Sequence, residues 1–123
     1  KDVTIVATGH LVWEALQAAE TLNEQGISAE VINIHTIKPL DDEAILNSVS
    51  KTRCIVTAEE HNFLGGLGES VARVLATNNP TPQEFVATQD TFGESGTPEQ
   101  LMEKYGLNAN AICKAVLKVI DRK

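Results

Sequence analysis

The stretch RCIVTAEEHNFLGGLGESVARVLA, Arg53 to Ala76, decides how this chain folds. Arg53–Glu60 opens it with an apolar, β-branched run, the composition of a buried strand. A polar segment with Gly65, Gly66 and Gly68 follows. Leu67, Val71, Val74 and Leu75 then recur at helical spacing until Asn78-Asn79-Pro80-Thr81-Pro82 stops the helix. A buried strand turning directly into an amphipathic helix is half of a β-α-β crossover, so the question becomes whether the rest of the chain repeats it.

It does, on both sides. VTIVAT, Val3 to Thr8, is a short β-branched run closed by Gly9. Val12, Ala15, Leu16, Ala19 and Leu22 make a helical stripe that Gly26 ends. AEVINI, Ala29 to Ile34, reads as a second strand, and Asp41 is placed to cap a helix. That helix has Asp42 and Glu43 in its first turn and Lys51 and Arg53 at its exit, a charge order that suits the helix dipole. Gln83–Gln89 is a fourth strand, and Thr97-Pro98-Glu99-Gln100 has the pattern of a capping box that begins a short helix. The last helix carries its stripe on Ile112, Ala115, Val116, Val119 and Ile120. Alternating strands and helices predict an α/β fold, three layers deep, around a mostly parallel sheet of four to five strands.

Composition narrows the function. The 123 residues suffice for one domain with its own core. A net charge of −7 with 4% aromatics argues against nucleic acid or an anionic membrane as partner. No apolar run is long enough to span a bilayer. Cys54 and Cys113 read as buried, reduced thiols of a cytoplasmic protein. The chain opens on Lys1-Asp2, enters a strand at Val3 and has Met102 as its one methionine, as expected of a piece excised from a longer protein.

In a parallel sheet the carboxyl ends of all strands share one edge, where ligands bind. His10, His35 and His61 each follow a strand, and Gln89–Gly96 follows the fourth. His10, His61, Asn62 and Gly66 are therefore the candidates for a rim or a weak anion site. The set is incomplete for any catalytic class. Metal-ligand spacing is absent, and GESG, Gly93 to Gly96, lacks the spacing of a nucleophile elbow. Gly66-Leu67-Gly68 lacks the third glycine of a dinucleotide loop and is followed by Glu69, which repels pyrophosphate; a Walker lysine is missing too. A phosphate or carboxylate on the free N–H groups of the helix start remains an alternative, against the reading of Gly65 and Gly66 as a tight turn. Trp13 is expected on the far side of its helix from Val12, Leu16 and Ala19, which makes it a candidate interface anchor.

TAEEHNFLGGLGESVARVLA and DTFGESGTPEQLMEKYGLNANAI resemble segments of transketolase carboxyl-terminal domains. DVTIVATG and VINIHTIKPLD resemble the opening strand and the second strand with its turn. The EEHN-x-x-GGLG segment alone also fits deoxyxylulose-phosphate synthase or the β subunit of 2-oxoacid dehydrogenases; DTFGESG favours transketolase, especially its split form. The resemblance implies a five-stranded mixed sheet whose antiparallel edge strand precedes this chain, leaving four parallel strands here. It puts the first strand between the second and third, so that the TGH and EEHNFLGG loops meet at the switch point. It implies transfer of a two-carbon ketol unit between sugar phosphates with thiamine diphosphate and Mg²⁺, held by other domains through a Gly-Asp-Gly motif that this chain lacks. On that reading the chain carries no catalytic, cofactor-binding or metal residue. It supports a homodimeric or heterotetrameric assembly with the remaining domains or an amino-terminal subunit. A free-standing nucleotide- or anion-binding module is the alternative of a different class.

Overall fold

The computed structural model describes residues 1–9, 11–34, 41–59, 66–87 and 109–123. Four strands, β1 (Val3–Ala7), β2 (Ala29–Asn33), β3 (Ile55–Glu59) and β4 (Gln83–Ala87), form one sheet in the order β2-β1-β3-β4. Every pairing is parallel: Val3 lies opposite Ala29, Thr4 opposite Ile55, and Ile55 opposite Gln83. The helices are α1 (Leu11–Glu24), α2 (Asp42–Thr52), α3 (Leu67–Asn78) and α4 (Ala109–Asp121). The expected four parallel strands, with β1 between β2 and β3, are all present. The capping box at Thr97 lies outside the described residues.

The two-residue period of a strand sorts the core into two layers. Val3, Ile5 and Ala7 of β1, Val56 and Ala58 of β3, and Val86 of β4 pack with α1 and α4. Val6 and Ile55 point the other way, into α2 and α3 with Ile45, Val49, Leu67, Val71 and Leu75. By the same alternation Thr57 and Glu59 share the face of Ile55, beneath α3. Thr4, also fully buried on this side, satisfies its hydroxyl against Ser48 Oγ and Thr52 Oγ1, each at 2.7 Å.

Two expectations change. Arg53 does not open β3; it closes α2 in the left-handed region (φ 64°), its N–H donating to the Val49 carbonyl at 2.8 Å. The strand therefore starts two residues later. In α1 the buried set is Leu11, Ala15, Ala18 and Leu22, whereas Leu16, expected inside, is 50% exposed. Two small alanines let α1 sit close to α4, where Cys113 Sγ meets the Ala18 carbonyl at 3.8 Å. Leu16 lies about 60° around the helix from Trp13, on the same outer side, and so is not opposite it as expected.

Candidate functional site

β1 and β3 are neighbours, but the chain leaves them in opposite directions, towards β2 and towards β4. The crevice at their carboxyl ends is the topological switch point. Thr8 N–H donates to the Ala58 carbonyl at 3.3 Å and holds the two ends together. Gly9 then takes a positive φ of 58°, which starts the turn into α1. His10, His61 and Asn62 lie outside the described residues, as do His35, Gly65 and the Gln89–Gly96 segment, so of the rim candidates the structure places Gly66.

Gly66 is the N-cap of α3, with extended backbone (φ −92°, ψ −162°) and no side chain to cap the helix. The first helical N–H groups need an acceptor from elsewhere. Glu59, the last residue of β3 and only 1% exposed, supplies it. One carboxylate oxygen accepts from Leu67 N–H at 2.8 Å and the other from Gly68 N–H at 2.6 Å. A buried carboxylate thus ties the end of β3 to the start of α3, with the helix dipole favouring its charge.

The same turn is fastened from below. Gln83 Nε2 donates to the Gly68 carbonyl at 3.0 Å and to Thr57 Oγ1 at 3.1 Å. Gly68 lies against Phe85, so a Cβ there would collide with ring carbon Cδ2, come within 2.6 Å of Cε2 and within 3.0 Å of Thr57 Oγ1. Gly68 thus serves close packing of helix on sheet. Sequence reasoning named Glu69 as the acid that competes with an external anion; the carboxylate that fills the helix start is Glu59. The signal available was a glycine N-cap with no capping side chain, preceded by an acid at the end of a strand.

The described residues therefore do not fit a diphosphate at α3: its leading N–H groups already hold a carboxylate. They contain no group of three or more His, Cys, Asp or Glu that could hold a metal ion. Cys54 is buried as expected, whereas Cys113 is only half-buried; both are free thiols, and desolvation pushes both upward in pKa, away from reactivity. A cavity of about 490 Å³ lies at the opposite edge of the sheet, lined by Arg53, Asn79–Pro82 and Lys123 among others. The residues that follow α2, α3 and α4 line it, and the partial negative charge of helix carboxyl ends suits cations such as Arg53 and Lys123. No described helix is long and apolar enough to cross a membrane. Trp13 is 66% exposed on α1.

Residues 1–112 match the family model described as transketolase, C-terminal domain. The chain is 52% identical over 122 residues to the 6-deoxy-6-sulfo-D-fructose transketolase subunit of Clostridium sp., covering 99% of this chain and 38% of that one. It is 41% identical over 124 residues to the putative transketolase C-terminal section of Methanocaldococcus jannaschii, again spanning 38% of it. Among solved structures, a split gene transketolase described as an inactive beta4 tetramer superposes with a TM-score of 0.94 at 47% identity, covering 98% of this chain and 40% of that one. The chain thus spans about two-fifths of the length of these relatives.

Proposed function

This chain belongs to the transketolase C-terminal domain family, and from that premise we propose that it serves a split-type transketolase as a non-catalytic domain. Its part is to hold subunits together and support the domains that bind thiamine diphosphate and Mg²⁺. The complete enzyme, on this reading, moves a two-carbon ketol unit between sugar phosphates in the pentose phosphate pathway, and the cofactor supplies the carrier for that unit. It works in the cytoplasm as a dimer or heterotetramer, a compartment that the free Cys54 and Cys113 support.

The observation that carries the non-catalytic assignment is the Glu59 clamp. The anion-receptive helix start at the switch point is occupied from within, at 2.8 and 2.6 Å, and so is not offered to a cofactor or a substrate phosphate. Similarity to relatives named as transketolase subunits and sections supports the split-type reading over the deoxyxylulose-phosphate synthase one. A coupled assay of two-carbon transfer between sugar phosphates, with thiamine diphosphate and Mg²⁺ present, tests it. The chain alone is expected to show no turnover, and adding the remaining sections of a split transketolase is expected to restore it. Turnover by the chain alone, or none after complementation, would refute the proposal.

A further inference from the structure

The outer face of α1 carries an apolar pair with an acidic tail. Trp13 is 66% exposed and Leu16 is 50% exposed, and Glu20 and Glu24 are exposed on the same side. At helical steps these four fall within an arc of about 80°. The helix holds three glutamates, Glu14, Glu20 and Glu24, and no Lys or Arg. Among the described residues the ion pairs gather on Glu30 and Glu84, and none reaches α1. Glu24 also sits in the last turn, where it adds to the helix's own negative end.

We propose that this face is a docking surface for the part of a transketolase subunit lying outside the matched domain, which presents an apolar pocket for Trp13 bordered by Lys or Arg. Two observations single out that occupant. The relatives extend well beyond the matched stretch, which covers 38% of their length, so a domain of this family has a large neighbour to meet. The uncompensated acids call for cations opposite them, and α1 of a second copy, with no Lys or Arg, offers none. Trp13 supplies a rigid anchor and the glutamates supply register.

The surface rests on the transketolase reading above, and the test separates the two. The chain is mixed with the separately expressed residues of the Clostridium subunit that lie outside its matched stretch. Association is followed by analytical ultracentrifugation and by hydrogen exchange of the peptide covering Leu11–Glu24. The expected result is a complex that protects this peptide and weakens several-fold between low and moderate salt. It should weaken at least tenfold in W13A and in E20K/E24K. Circular dichroism should show both variants folded, since the changed side chains are exposed. A complex with no protection of α1 and unchanged binding by both variants would overturn the docking surface and leave the subunit reading standing. A self-association abolished by W13A would overturn it in favour of a second copy. Absence of any complex would overturn both.

Discussion

A helix that begins on glycine has to find its first acceptors in the rest of the fold, and α3 finds them in a single side chain. Glu59 accepts two charge-assisted hydrogen bonds while almost wholly buried, so its loss strands two donors that water reaches poorly. Glu59→Gln keeps the shape but removes the charge and turns an amide N–H₂ towards N–H groups. The expected cost is about 2–3 kcal/mol, with a larger one for Glu59→Ala. Urea denaturation of the two variants measures it, and an unchanged midpoint for both would show that the clamp contributes nothing to stability. The clamp escapes sequence reading because it joins residues eight and nine apart, on a strand and on a helix, whose meeting no local spacing specifies. Nothing in the spacing EEHNFLGGLG tells whether Glu59, Glu60 or Glu69 turns inward; the alternation of β3 decides it, by putting Glu59 on the face of Ile55 and Thr57.

At the scale of elements, the order of strands and helices was legible because buried β-branched runs and i, i+4 stripes are strong signals. Ile112, Val116 and Val119 of α4 are buried as their spacing indicates. The phase of α1 was not legible. The expected stripe, Val12, Ala15, Leu16, Ala19 and Leu22, shares only Ala15 and Leu22 with the buried set, which adds Leu11 and Ala18. The choice between them is made by how closely alanines let the helix approach its neighbours. The boundary of α2 and β3 was missed for a backbone reason. Arg53 occupies the left-handed position that ends a helix, which glycine takes without strain. Arg53→Gly is therefore expected to raise stability by about 0.5–1 kcal/mol, and Arg53→Val to lower it, as read from thermal melts. A lower melting temperature for the glycine variant would show that the guanidinium contributes more than the strain removes.

For the whole molecule, the edges of the sheet are tied to the helices by charge. Glu30 of β2 meets Lys51 of α2 at 3.4 Å, and Glu84 of β4 meets Lys118 of α4 at 3.5 Å and also Arg122. A hydrogen bond from Ser48, with help from Lys51 and Lys1, holds the Glu30 carboxyl below the ordinary glutamate range despite partial desolvation. A folded pKa below the unfolded one means stability that is complete above the unfolded value, about 4.3, and lost as pH falls through the folded one. E30Q is accordingly expected to melt below the parent near neutral pH and to converge with it in acid. A gap that stays constant with pH would remove Glu30 from the acid limb. The clamp has a last consequence for the molecule as a whole. A free anion that sought the start of α3 would have to displace a carboxylate tethered beside it, at a local concentration that no solute matches. The cradle is closed by an internal competitor as well as by burial. A domain built this way could become an anion receptor by deletion of one side chain, at the expense of stability, with the two donors already in place.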